Sequence, residues 1–464
     1  MHWKVYGRDM TDVDLVVVGS GGAAMAAGIE ARSRGKSVLL VEQHAVGGTC
    51  LNVGCVPSKR LLAAAGQRHQ AANSPFQGVP TSAGEVDLET LMVSKRELIA
   101  DLQRAKYVEV AQAHGFPIRR GRASFTDERT VCIDGERLDA EAFVVATGAG
   151  PAVPDLVGIE RVDYLTSTTA MDLTELPASL VVLGGGYVGL EQAQLWSRLG
   201  VQVSIVGRFA PHTEPELAQV LRRVFVEEGI AVIEDRAIAV ERTPDGVVAH
   251  TRDGRAVAGQ RLLAATGRRP DTQGLGLEAA GVEVDARGFI VVDRSQRTTN
   301  PRVFAAGDAS GAPQFVYVAA QTGRAAAAGA LGEPREVDYR GLPAVTFTTP
   351  QLGSAGLTEQ QALDRGYRCD CRVLAGADIP RARINGDTRG ALKLVIDADT
   401  RKVLGVHAAL DGAGDVMLAA TYAITSGMTV DDVANTWAPY LTMAEAVRLA
   451  ALAFRSDQPM SCCA

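Results

Sequence analysis

No apolar run in this 464-residue chain approaches the roughly 18 residues that a membrane-spanning helix requires. The start, MHWKVYGRDMTDVD, lacks the basic-then-apolar pattern of a secretory signal. Like charges form no blocks, and 47 basic against 54 acidic residues leave a net charge of −7. That balance argues against nucleic acid as the main partner. Cysteine is scarce, with seven residues too few and too unevenly placed for a disulfide scaffold. The expectation is a cytoplasmic protein without membrane insertion, in which closely spaced cysteines are catalytic or metal-binding. Such pairs occur near both ends, in Gly47-Gly-Thr-Cys50-Leu-Asn-Val-Gly-Cys55-Val-Pro57-Ser-Lys59 and in Ser461-Cys462-Cys463-Ala464. The length exceeds one compact core and suggests about three domains.

What is present is organised around glycine. Asp14-Leu-Val-Val-Val-Gly19-Ser-Gly21-Gly22-Ala-Ala24 is an apolar strand entering G-x-G-x-x-A, followed by small residues at helical spacing. A second strand, Lys36 to Glu42, ends in an acid. Glycines of this kind let backbone approach a pyrophosphate at the helix N-terminus, and the acid suits ribose hydroxyls. Glycine-rich turns also occur for purely structural reasons, but here strand, helix and acid are all in place. The pattern recurs at Leu180-Val-Val-Leu-Gly184-Gly-Gly186-Tyr187-Val-Gly189, with a second strand Val201 to Val206. That strand runs into Gly207-Arg208, with His212 close behind and no acid. An arginine pairs with a 2′-phosphate that an acid would repel, so this half favours NADPH over NADH. The bland alternative for Arg208 is a solvated loop charge.

Each half closes on a matching strand, ending at Thr147-Gly148 and at Thr266-Gly267. Gly19 to Thr147 is 128 positions and Gly184 to Thr266 is 82, so the first half carries about 46 more. The surplus falls where Cys50 and Cys55 lie. The halves read as a duplicated unit with the cysteines inserted into the first copy. Thr298-Thr-Asn-Pro-Arg-Val-Phe-Ala-Ala-Gly307-Asp308 then gives a turn, a short strand and an acid at a helix start, where Asp commonly serves as an N-cap.

With these motifs in order, the chain from Asp14 to its C-terminus resembles the disulfide-oxidoreductase flavoproteins (class I pyridine nucleotide-disulfide oxidoreductases). The resemblance implies an α/β fold with two Rossmann-like dinucleotide-binding domains and a C-terminal α+β dimerisation domain. It places an FAD domain at residues 10–155 and 275–335, an NADPH domain at 156–274 and an interface domain at 338–464. FAD would lie against Gly19, Gly21, Gly22, Ala24, Glu42, Gly48, Thr49, Lys59, Thr147, Gly148 and Asp308, the last holding the ribityl chain. NADPH would lie against Gly184, Gly186, Gly189, Arg208 and Gly267, with Tyr187 stacked over the flavin and moving aside for nicotinamide. Strands are expected at Ala391 to Asp397 and Lys402 to His407, joined by a polar turn. The apolar content of residues 416–454 at helical spacing fits a buried homodimer interface.

Pro57 suits the first turn of a helix, which puts Cys55 at or just before its N-terminus, where the dipole favours a thiolate. Packed thiols or a buried disulfide are the structural alternative. By resemblance, Cys50 and Cys55 are the redox-active disulfide, Cys55 toward the flavin and Cys50 toward substrate. Lys59 and Glu191 match the family's ion pair beside the flavin ring.

Dithiol-handling members of the family carry His-Pro-Thr-x-x-Glu near the C-terminus, the histidine moving protons for the leaving thiol. Here Ala438-Pro439-Tyr440-Leu441-Thr442-Met443-Ala444-Glu445 puts Tyr440 in that place, and none of the seven histidines falls in the segment. A tyrosine is a poor general base at neutral pH. Soft thiolates at Cys462 and Cys463 select soft cations. Together these features resemble the mercuric reductases within the family. The resemblance implies reduction of thiol-bound Hg(II) to Hg(0) by NADPH, in a homodimer with active sites at the subunit interface. Cys50, Cys55, Cys462 and Cys463 would bind the metal, with Tyr187 and Tyr440 framing the pocket. Many mercuric reductases begin with a small domain carrying GMTCxxC; this sequence has no such motif, so delivery by that domain is not expected. The enzyme alternative is an NADPH-dependent disulfide reductase with a C-terminal shuttle pair, as in the large thioredoxin reductases. A non-catalytic metal-sequestering protein is the other, and it would need neither nucleotide site. Cys369 and Cys371 match no family motif and read as ordinary packing on one face of a strand. Cys132 reads as a small hydrophobe in a strand.

Overall fold

A computed structural model describes residues 13–456. The described residues form two compact units, one of residues 13–58, 89–152 and 267–338, the other of 59–88, 153–266 and 339–456. The helix Cys55–Ala72 begins in the first unit and continues in the second.

The first unit is built on a sheet ordered Ile118–Arg120, Val38–Glu42, Val13–Val18, Glu136–Val145, Thr130–Ile133, Ala123–Phe125, with Val303–Ala305 also paired to Glu136–Val145. The pairings among Ile118–Arg120, Val38–Glu42, Val13–Val18, Glu136–Val145 and Val303–Ala305 are parallel. The continuous apolar run of the first strand has a simple cause, burial on both faces. Val13, Val16 and Val18 join one core with Phe125, Phe143 and Ile290, while Leu15 and Val17 join another with Ala24, Ala27 and Phe304. The helix Gly22–Ser33 follows, and its small residues let it pack closely on the helix Val316–Ala330.

The second unit holds a five-stranded parallel sheet in the order Ala231–Ile233, Gln202–Phe209, Ser179–Gly185, Arg261–Ala264, Tyr164–Thr166. It also holds an antiparallel sheet ordered Pro343–Thr346, Gln351–Gly356, Val403–Leu410, Ala391–Asp397, Cys369–Ala375. Helices Ala413–Thr425, Val430–Asn435 and Glu445–Leu452 bury Val416, Met417, Val430, Val447 and Leu449 in the core they share with that sheet. No helix among the described residues is long and apolar enough to cross a membrane.

Candidate active site

In the first unit the strand Val13–Val18 ends at Gly19, whose φ is +119°. Gly21 precedes the helix Gly22–Ser33, and no side chain caps it, so its first amides stay available to an anion. Ala24 is buried inside that helix. Glu42 closes the second strand, where Ser20 donates to its Oε2 at 2.6 Å and the His44 amide to its Oε1 at 2.7 Å. The Gly47 amide donates in turn to Ser20 Oγ at 3.1 Å, which ties the acid to the start of the cysteine segment.

Gly48 crosses this glycine turn so closely that a Cβ built on it would stand 2.7 Å from the Gly21 Cα, and its φ is +63°. Backbone exposed on both sides of such a crossing forms a cradle that any side chain would fill. Nearby polar atoms also lack partners: Thr147 Oγ1 and Arg268 Nε are buried without a hydrogen bond. Buried donors and acceptors are seldom left so, and an extended polar ligand satisfies them. Gly148 continues from Thr147 with φ +76°, and Thr49 Oγ1 donates to the Ala149 carbonyl at 3.5 Å. Gly267, at φ +130°, leads into a strand paired with Ala149–Pro151. The groups present therefore fit a bound dinucleotide.

Asp308 departs from the N-cap alternative. It lies inside a 3₁₀ turn, Gly307–Ser310, whose N-cap position is Ala306. Its Oδ2 is 3.4 Å from Arg268 Nη2. Burial pushes the Asp308 carboxyl above its usual range against the pull of that guanidinium. Arg268 also donates to the Ala149 carbonyl. Sequence reasoning passed over this arginine, although it directly follows Thr266-Gly267.

Cys50 sits half-buried in the short helix Gly48–Asn52, and Cys55, exposed, is the first residue of the helix Cys55–Ala72. Pro57 falls in that helix's first turn, where its missing amide is harmless. Asn52 Nδ2 donates to the carbonyls of Val46 and Gly48 at 3.1 and 2.9 Å, and Gln103 Nε2 to Val46 at 2.8 Å, bracing the segment between the cysteines. Tyr107 was not foreseen. It occupies a π-helical turn, Arg104–Val108, and burial pushes its hydroxyl up to about 12, with the charges of Cys50 and Cys55 adding to the effect.

Lys59 lies one turn along the same helix from Cys55. In the second unit its Nζ is 2.7 Å from Glu191 Oε2, and it stands 4.6 Å from the Phe347 ring centroid. Glu191 is buried, and its Oε1 accepts the Phe347 amide at 2.9 Å. Phe347 thus fixes both partners, a role no local pattern announces.

In the same unit Gly184 is the penultimate residue of the strand Ser179–Gly185, and Gly186 precedes the helix Tyr187–Leu199 without a side-chain cap. Gly189 packs on the Gly184 carbonyl, where a Cβ would overlap it. Tyr187 opens the helix and stacks on His212, ring centroids 5.9 Å apart, and burial raises its hydroxyl pKa. The strand Gln202–Phe209 bulges between Val206 and Phe209, and Arg208 leaves it exposed. No carboxylate among the described residues pairs with Arg208.

Tyr440 stands half-exposed, at 51%, in the turn before the helix Glu445–Leu452. Glu445 is buried and accepts the Leu441 amide at 3.3 Å. Cys462 and Cys463 lie outside the described residues.

A glycine cradle repeated on two parallel sheets, with a cysteine pair inserted into the first, is the plan of one enzyme class. Residues 13–323 match the pyridine nucleotide-disulphide oxidoreductase family and residues 342–451 its dimerisation domain. The chain belongs to this family. Among its curated relatives are mercuric reductases. That of Streptomyces lividans is 48% identical, the match covering 98% of this chain and 99% of the relative. That of Bacillus cereus is 43% identical over 98% of this chain and 73% of its own length. Solved structures with the same fold include LpdA from Mycobacterium tuberculosis, with TM-score 0.86, 28% identity, and 95% and 100% of the two chains covered. The HOCl-induced flavoprotein disulfide reductase RclA from Escherichia coli superposes with TM-score 0.85 and 28% identity, over 95% and 99%.

Proposed function

We propose that the chain is an FAD-dependent mercury(II) reductase, in which Hg(II) and NADPH become Hg(0), NADP⁺ and a proton. The observation that carries this reading is the placement of Cys55 at a helix N-terminus beside Cys50, in a chain 48% identical to a mercuric reductase over nearly its whole length. When bound, FAD supplies the two-electron relay between nicotinamide and the cysteine pair. Residues 13–58, 89–152 and 267–338 would hold FAD through Gly19, Gly21, Gly22, Gly48, Glu42, Thr147 and Asp308. Residues 153–266 would hold NADPH through Gly184, Gly186, Gly189 and Arg208, the free guanidinium meeting the 2′-phosphate.

The helix N-terminus favours the thiolate of Cys55, and Lys59, one turn along, is held by Glu191. Cys50 and Cys55 together offer Hg(II) two soft ligands. Tyr440 supplies no base, and none is needed, because no leaving thiol has to be protonated by the protein when the metal itself is reduced. The match to the dimerisation domain indicates a homodimer. Exposed Leu418, Tyr422 and Trp437 on the helical side of that domain are apolar surface of the kind such an interface covers. Within the dimer, Cys462 and Cys463 would take Hg(II) from thiol carriers and pass it by ligand exchange to Cys50 and Cys55 of the other copy. The cytoplasm, rich in such thiols, is the proposed location.

The test is NADPH oxidation by the purified holoenzyme with HgCl₂ in excess thiol, run beside oxidised glutathione. Mercury-dependent oxidation with no response to glutathione disulfide is expected. The reverse result would establish the shuttle-type disulfide reductase instead, and a protein purified without flavin would be a sequestering protein. Delivery between copies has its own arm, in which the Cys462→Ala, Cys463→Ala protein is mixed with Cys50→Ala. Heterodimers regain one working site if transfer crosses the interface, and regain none if all four thiols act within one chain.

A further inference from the structure

Cys369 and Cys371 take no part in the reaction above, and the structure leaves both only partly buried. They lie in Cys369–Ala375, the edge strand of the antiparallel sheet. Leu374 of this strand enters the core, and the Arg372 guanidinium sits 4.9 Å from the Phe454 ring centroid, so the even-numbered side chains face the helices. Cys369 and Cys371 face the other way, and neither joins a core cluster. Both are partly exposed.

On that face the neighbouring strand sets Asp397 opposite Cys369 and Val395 opposite Cys371. Lys393, next along the same strand face, is buried and already held by Glu214, Glu216 and Glu359 at 2.9, 2.9 and 2.6 Å. One lysine against three carboxylates leaves the surroundings net negative.

Spacing selects what can bridge the pair. Residues i and i+2 of an extended strand have Cα atoms about 6.6–6.8 Å apart. That is the upper limit of the roughly 4.4–6.8 Å that a disulfide spans. A sulfur–metal–sulfur bridge is longer than a sulfur–sulfur bond and suits the gap. No group of three or more His, Cys, Asp or Glu able to hold a metal exists among the described residues, so a four-coordinate ion such as Zn(II) finds no ligand set.

We propose that Cys369 and Cys371 form an accessory site for one two-coordinate Hg(II), separate from the catalytic pair. Loading is ligand exchange without redox change. Two bonds between Hg(II) and carrier thiolates break, two to Cys369 and Cys371 form, and the two protein thiol protons pass to the departing carriers. Two neutral thiols become one neutral dithiolate complex, so the site's charge is unchanged. The proposal needs thiophilic binding only and does not depend on turnover.

The experiment uses flavin-loaded full-length protein with Cys50, Cys55, Cys462 and Cys463 replaced by Ala, which leaves Cys132, Cys369 and Cys371. After HgCl₂ with excess glutathione and desalting, native mass spectrometry counts the metal. One Hg(II) per chain is expected. Cys369→Ser or Cys371→Ser, each added alone, should cut retention at least tenfold, and Cys132→Ser should leave it intact. A parent that retains none, retention that survives either single change, or loss on Cys132→Ser would each overturn the site. The same count in the chain with its other cysteines intact, where Cys369→Ser with Cys371→Ser should remove one Hg(II) per chain, guards against a folding defect of the multiple variant. Because the readout is bound metal, a failed reductase assay and a failed site are told apart.

Discussion

In the first half the central parallel strands run Ile118–Arg120, Val38–Glu42, Val13–Val18, Glu136–Val145, Val303–Ala305; in the second they run Ala231–Ile233, Gln202–Phe209, Ser179–Gly185, Arg261–Ala264, Tyr164–Thr166. At the end of each central strand stands a glycine at positive φ, +119° at Gly19 and +104° at Gly184, before an uncapped helix. The outermost strand on one side is drawn from later chain in the first half and from earlier chain in the second, which the sheet accepts because pairing needs register and not sequence order. The halves part company at the end of the second strand. In the first, Glu42 is fastened by Ser20 and the His44 amide. In the second, a bulge carries Arg208 into solvent. One backbone frame thus occurs twice, with an acid at the strand end in the first copy and an arginine in the second. Only the first half carries the cysteine insertion, the redox partner proposed above.

The sharpest way to break this comparison is to remove that partner. Cys55→Ala should lower mercury-dependent NADPH oxidation by at least about 10³-fold, as expected when a reacting nucleophile is deleted. It should also abolish the long-wavelength charge-transfer absorbance of the two-electron-reduced protein, whereas Cys50→Ala should leave a thiolate and hence the band. A band that persists in Cys55→Ala would reverse the roles assigned to the two cysteines.

A smaller effect is expected at the strand end of the second half. Arg208→Ala removes a charge-assisted contact of about 1.5–3 kcal/mol, or roughly 10- to 150-fold in kcat/KM with NADPH, and should spare NADH. Equal losses with both nucleotides would mean that Arg208 is only a solvated charge.

The mildest change probes the Gly48–Gly21 crossing, which the second half lacks. Gly48→Ala places a Cβ at φ +63° and 2.7 Å from the Gly21 Cα, strain of about 1–3 kcal/mol that the backbone relieves only by moving off the pyrophosphate position. Flavin retained per chain after gel filtration should fall several-fold with the fold intact by circular dichroism. Full retention would detach Gly48 from the flavin site.

Much of this was legible in one dimension because the signals are local. An apolar run running into Gly19 or Gly184 marks a strand buried on both faces and a turn at its end. Pro57 marks a helix start, and the structure begins that helix at Cys55. The strands Ala391–Asp397 and Val403–Leu410 fall where strands at Ala391 to Asp397 and Lys402 to His407, joined by a polar turn, were expected, the second running on to Leu410. Contacts between distant positions were not legible in this way. Lys59 and Glu191 are 132 residues apart, and only resemblance paired them; that Phe347 braces both came from the fold. For Asp308 the sequence left an N-cap open as the alternative to flavin binding; the structure puts Ala306 at the cap position and pairs Asp308 with Arg268. For Cys369 and Cys371 the two-residue period put both thiols on one face, yet could not say which face. That was decided by the helix Glu445–Leu452, which covers the even-numbered side and leaves the thiols beside Lys393 and its carboxylates. Period and turn chemistry are properties of neighbouring residues, so the sequence by itself determined the elements and the two nucleotide motifs. Which side of an element is buried, and which charge meets which, depends on what packs against it, and only the tertiary structure decided that.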